Sequence, residues 1–218
     1  MARCGAIAIR KEKTSAERGA DVLKETKMSY NNSLTVWKPQ TKVFSHFSDM
    51  EAAAIIDKAD GPRYRYFFMT LLGTGLRIGE VLHIRVKDLI DGMDGFTLII
   101  TREKKGEHTK SERLPIAQEL GRTLKDYCDA AKLQPNDYIF PGHSNSFRYA
   151  LRMAARAAGL QDWQHAHPHQ FRHSFVYSKV SQGVHPLVLT RLVGHSSLQV
   201  TQQYYAPQES DLRKAMEQ

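Results

Sequence analysis

The sequence predicts a mainly α-helical domain carrying one small antiparallel β-sheet, an α+β chain. Three observations carry that prediction. Apolar residues recur at helical spacing through most of the chain beyond residue 48. One β-branched and aromatic run, Phe96-Thr-Leu-Ile-Ile-Thr101, has a return partner in Glu112-Arg-Leu-Pro-Ile116. Glycine and proline punctuate the helical stretches at Gly61-Pro62, Gly73-Thr74-Gly75, Pro141-Gly142 and Gly159.

Residues 1–45 show no sustained period and read as a basic N-terminal arm, in which 16–28 has the makings of a short helix. The body, 46–218, opens on Ser48 and Glu51 at capping-box spacing, with Phe47 placed as a hydrophobic staple. Ala53, Ile56 and Ala59 continue that helix. A second runs from about Pro62, favourable in a first turn, to Leu72, where Gly73-Thr74-Gly75 breaks it. A third opens near Arg77 and carries Ile78, Val81, Leu82 and Ile84. After the strand pair, helical patterns cover roughly 117–131, 145–158, 169–182, 186–193 and 197–205. Leu212 and Met216, four apart, suggest a short amphipathic tail helix.

With 218 residues, the chain is long enough for one domain with a real core. Its 41% hydrophobic and 25% charged content is a soluble globular balance. Apolar runs such as Phe67-Phe68-Met69 fall far short of a bilayer span, so no membrane partner is expected. No secretory signal is read at the N-terminus. Cys4 and Cys128 make no disulfide framework, which suits a reducing, cytoplasmic setting, and they are too few for a Cys-based zinc site. Net charge is +8, which favours a polyanionic partner such as nucleic acid. Residues 1–45 hold nine Lys/Arg against four Asp/Glu, so the arm is the more basic part.

Four groups could carry chemistry. Arg77 follows a Gly-rich break at a helix start, where backbone N–H groups favour an anion and a guanidinium suits a bidentate phosphate contact. It is also spaced i,i+3 from Glu80, as a surface ion pair would be. His169 and Arg172, likewise i,i+3, reach one spot from a helix face, arginine to hold phosphate and histidine to move a proton. His169 and His173, i,i+4, have the spacing of metal ligands, although the helical zinc motif with its Glu is missing, and half-buried structural histidines are a further alternative. Gly194-His195 forms a turn whose imidazole opens a helix capped by Ser196 or Ser197, with Tyr204 near that helix's end. Tyr204 and Tyr205 are equally open to a packing role. Lys104, Lys105 and Lys110 lie on or beside the hairpin tip, as a solvated turn or as a lysine delivered to phosphate. No carboxylate cluster and no Walker-type lysine loop accompany them, which argues against a two-metal nuclease and against nucleotide hydrolysis.

Taken together and in order, these segments resemble the catalytic domain of the tyrosine recombinases, the phage integrase family, from about Phe47 to Pro207. Gly75-Leu-Arg77-Ile-Gly-Glu80 resembles the first arginine box and His169-Gln-Phe-Arg172-His173-Ser174 the His-x-x-Arg box. Leu192-Val-Gly194-His195-Ser-Ser197 resembles the Leu-Gly-His-Ser-Ser element, and Tyr204 stands nine residues after its histidine. The resemblance implies a site-specific DNA recombinase acting through a 3′-phosphotyrosine. Its catalytic set would be Arg77, Lys105, His169, Arg172, His195 and Tyr204, with neither metal nor ATP as cofactor. Arg77 and Arg172 would clamp the scissile phosphate, His169 would serve as base for Tyr204, Lys105 would protonate the leaving 5′-hydroxyl, and His195 would hydrogen-bond the phosphate. Lys105 is preferred to Lys104 because it directly precedes Gly106, and Tyr204 to Tyr205 by spacing. The short segment ahead of the body resembles the single-domain members, such as fimbrial phase-switch recombinases. The implied partners are double-stranded DNA with a specific site, a homotetramer on that DNA and accessory DNA-bending proteins, at the nucleoid when bound. A non-catalytic DNA-binding regulator on the same fold is the alternative.

Overall fold

The computed structural model describes residues 45–102, 110–194, 198–205 and 216, with Lys110 described in its backbone alone. The arm up to residue 44, Lys104, Lys105, His195 and Leu212 therefore lie outside the described residues. Helix α1 (Asp49–Asp57) starts at the expected capping box. The Ser48 N–H donates to Glu51 Oε2 at 2.8 Å and the Glu51 N–H to Ser48 Oγ at 3.3 Å, an arrangement worth about 1 kcal/mol. Phe47 ahead of it is buried, with its ring edge against Phe171 at 5.0 Å.

Helix α2 (Gly61–Thr74) is the central element. Phe67, Phe68 and Leu71 are wholly buried on it, and Phe68 stacks on Phe171 while Phe67 meets Phe147 and Phe140. Each such ring contributes about 1.5–3 kcal/mol by leaving water. The helix does not break after Leu72, as the sequence suggested. Gly73 and Thr74 stay helical, and the end is set by Gly75 alone, left-handed at φ 65°. A Cβ there would also sit 2.5 Å from Phe175 Cδ1, so glycine is required twice over. Helix α3 (Ile78–Leu82) follows at once.

The sheet has three strands, β1 (Leu89–Gly92), β2 (Gly95–Arg102) and β3 (Lys110–Pro115), antiparallel in that order. The sequence reading expected a two-stranded pair and missed β1, although Asp94-Gly95 is a hairpin signal. Gly92 pairs with Gly95 around a two-residue turn. On β2, Phe96, Leu98, Ile100 and Arg102 alternate onto the buried face, so a guanidinium takes a place where the pattern calls for an apolar residue. Four longer helices follow: α4 (Gln118–Ala130), α5 (Ser144–Ala157), α6 (Pro168–Ser181) and α7 (Pro186–Val193). The short α8 (Leu198–Gln202) precedes Tyr204. Helix α6 packs along α2, and its second half joins α7 and Tyr204 in a smaller cluster of Phe175, Val176, Leu189 and Val193. Met216 is helical and 88% exposed. No helix among the described residues is long and apolar enough to cross a membrane.

Candidate active site

Two helices end at left-handed glycines, α2 at Gly75 and α7 at Gly194, and their last carbonyls face one guanidinium. Arg172, on α6, is 4% exposed and donates from Nη1 to Gly75 O and from Nη2 to Val193 O, both at 2.7 Å. Carbonyls at helix C-termini carry partial negative charge, which is why a cation is tolerated there. Those two bonds use two of its five N–H donors. Burial, and then the neighbouring Arg77, push its pKa down to about 10, so it remains charged at neutral pH.

Arg77 sits two residues beyond Gly75, as the N-cap of α3. The Arg77–Glu80 pair foreseen as a bland surface contact exists, but it is not a surface pair. Glu80 is 7% exposed, and its carboxylate accepts both the Arg77 N–H at 2.7 Å and Arg77 Nη1 at 2.9 Å. The arginine side chain remains 42% exposed. Glu80 therefore aims a guanidinium outward, a role the sequence reading did not give it although it stood in the same box.

Tyr204 is buried, and its Oη lies 2.5 Å from His173 Nδ1. Burial, with Tyr177 beside it, pushes the phenol up to about 12, while Arg172 opposes the shift. Burial and then His169, His167, Arg172 and His46 push His173 down to about 4. At neutral pH a protonated phenol thus faces a neutral imidazole across a short hydrogen bond. Tyr205 points elsewhere, its hydroxyl donating to the Val184 carbonyl. His169, one turn before His173, is held below its usual pKa by burial, then by Arg172, His167, Arg77 and Arg148. The rings of His169 and His173 are 6.5 Å apart. Among the described residues no group of three or more His, Cys, Asp or Glu is gathered as a metal site.

The structure thus brings Arg77, His169, Arg172 and Tyr204 into one region, within electrostatic reach of one another, and adds Glu80 and His173. Lys105 and His195 fall outside the described residues. Their flanks are visible, since β2 and β3 frame 103–109 and Gly194 precedes His195. Helix α5 borders the region with exposed Arg148 and Arg152 at i,i+4 and no acidic residue along its length. Chemically, the arrangement offers guanidiniums for a tetrahedral anion, a phenol oxygen as nucleophile and histidines for its proton.

The histidine shifts set a pH dependence of stability. His173 binds its proton more weakly folded than unfolded, so its contribution is complete above pH 6.5 and is lost as pH falls from there toward about 4. His167 and His169 shift in the same direction. The melting temperature is expected to drop between pH 7 and pH 5, and to drop less in His173→Gln. Equal drops in both proteins would remove His173 as the cause.

A model described as the phage integrase family matches residues 46–211. Tyrosine recombinase XerA of Pyrococcus furiosus is 29% identical over 167 residues, 72% of this chain and 55% of that protein. The chain spans about half the length of the curated relatives it matches. The crystal structure of XerA recombinase superposes with TM-score 0.61 at 25% identity, over 78% of this chain and 61% of that one. The catalytic domain of bacteriophage HP1 integrase shares the fold, with TM-score 0.59 at 20% identity, over 80% of this chain and 94% of that domain.

Proposed function

This chain belongs to the phage integrase family, and on that premise we propose that it is a site-specific DNA recombinase that cuts and rejoins strands through a tyrosine. The observation that carries the reading is Tyr204 Oη held on His173 Nδ1, on the helix that also bears the buried Arg172. In the proposed reaction Arg77 and Arg172 bind the non-bridging oxygens of one phosphate and stabilise the charge that grows on them in the transition state. Tyr204 Oη attacks phosphorus, and the bond to the 5′-oxygen breaks. A 3′-phosphotyrosine remains. The phenol proton passes to a histidine, and the leaving 5′-oxygen takes a proton from a lysine of the 103–109 segment, Lys105 or else Lys104. His195 hydrogen-bonds the same phosphate. Attack by a second 5′-hydroxyl reverses these steps and joins the new strand.

His169 remains the base that the family resemblance implies, while the 2.5 Å contact favours His173. In this reading the partners are duplex DNA with a specific site, three further copies around two duplexes and accessory bending proteins, with the protein acting in the cytoplasm at the nucleoid. Arg148 and Arg152 of α5 would add phosphate contacts beside the site. The basic arm at 1–45, ahead of a catalytic body from 46 to the tail helix, would add more. Deleting residues 1–40 is expected to weaken DNA binding and to flatten its salt dependence. The log–log slope should fall by about 0.9 for each phosphate the arm neutralises. An unchanged slope would remove the arm from the interface.

The test of the function is trapping. The protein is incubated in EDTA with nicked suicide duplexes drawn from DNA flanking its own coding sequence. Adducts that survive denaturation are the expected result. Tight binding without any adduct would leave the non-catalytic regulator in its place.

A further inference from the structure

We propose that Arg102 is a positioning residue for the Arg172 clamp, an inference that rests on the recombinase reading above. Arg102 ends β2 on the inward face, 6% exposed. Its Nη2 donates to Leu192 O at 2.7 Å, and the very next carbonyl, Val193 O, is the one that accepts from Arg172. Two guanidiniums thus hold consecutive carbonyls at the end of α7. Arg102 Nε lies 3.0 Å from Glu112 Oε2 on β3, near enough for an ion pair but not aligned as a hydrogen bond. Nη1 is buried with no hydrogen-bond partner among the described residues.

Gly194 records how tightly this side chain is placed. A Cβ on Gly194 would fall 1.3 Å from Arg102 Nη1 and 2.3 Å from its Cζ. The turn that leads to His195 therefore lies directly against the guanidinium, and glycine is needed there for space as well as for its φ of 67°. Burying a charge whose Nε and Nη1 make no hydrogen bond among the described residues is costly, and an apolar residue continuing the series Phe96, Leu98, Ile100 would avoid that cost. What the arginine provides instead is a connection, running from Glu112 in the sheet through Leu192 to the carbonyl that orients Arg172. The like charge of Arg102 also lowers the Arg172 pKa, which places the two side chains within electrostatic reach.

The test uses the full chain and the duplex mapped by trapping. Arg102→Met keeps length and apolar bulk, and Glu112→Gln changes the partly exposed end of the connection with little risk to folding. Cleavage by Arg102→Met is expected to fall by about 100-fold, the scale of a small misplacement of a reacting group. Glu112→Gln should fall less, in the same direction, with DNA binding retained in both. The deciding readout is a substrate whose scissile phosphate carries a methyl group in place of one non-bridging oxygen. With that negative charge removed, a well-placed Arg172 matters less, so the deficit of both variants should shrink. A deficit of unchanged size on the neutral phosphate, or full activity of both variants on the natural one, overturns the inference while leaving the recombinase reading intact. Failure of the unmodified protein to form any adduct overturns both.

Discussion

Tyr204→Phe is expected to abolish the denaturation-resistant DNA adduct and to leave DNA binding and the melting temperature nearly unchanged. The substitution removes one atom, the Oη that lies against His173. The ring keeps its place beside Phe175, Val176, Leu189 and Val193, so burial is preserved. The structural cost includes the hydrogen bond to His173, about 1 kcal/mol. In the proposed mechanism the chemical cost is the nucleophile itself. Tyr205 is tied to the Val184 carbonyl, and Tyr205→Phe is therefore expected to keep the adduct. Loss of the adduct in Tyr205→Phe, with retention in Tyr204→Phe, would exchange the two assignments. With its pKa raised to about 12, the Tyr204 phenol is protonated at neutral pH, so in the proposed mechanism it would lose its proton as it attacks.

Arg172→Lys is expected to lower the cleavage rate by about 100–1000-fold, as removal of an oriented donor to a developing oxyanion does. It should also destabilise the fold, by about 2–5 kcal/mol, because a lysine ammonium cannot span Gly75 O and Val193 O as the guanidinium does. Arg77→Lys separates the two effects. Arg77 is the exposed partner of Glu80, so its replacement should cut the rate by a similar factor with little change in melting temperature. Cleavage by single-turnover kinetics and melting by calorimetry check both variants. Arg172→Lys with full activity would remove the phosphate clamp from the mechanism and leave Arg172 as a strut between two helix ends.

These variants also mark where the sequence was readable. Ser48 and Glu51 announce α1, because a capping box is made within four residues and needs no distant partner. The β-branched and aromatic run from Phe96 to Thr101 announces β2 for the same reason, since strand preference is local. The strand β1 was missed because Leu89–Gly92 is short and polar at its end, and only pairing with β2 makes it a strand. The boxes around Arg77, Arg172 and Tyr204 were legible through their order along the chain. The partners that aim them were less so. Glu80, His173 and Arg102 each stand in or beside a segment that was read, yet their contacts depend on which helix end or ring arrives next to them.

By itself, the amino-acid sequence determined the helical class, the small sheet and the basic balance, since these follow from local spacing and composition, while Arg77, Arg172 and Tyr204 were singled out by the order of their boxes and the family those boxes resemble. Tertiary structure alone decided that Arg172 is buried between the ends of α2 and α7, that His173 meets the Tyr204 hydroxyl, and that Arg102 reaches under Gly194 to the same helix end. These contacts join residues 21 to 97 positions apart in the chain. Such contacts exist only once the core around Phe67, Phe68 and Phe171 has packed the helices against one another.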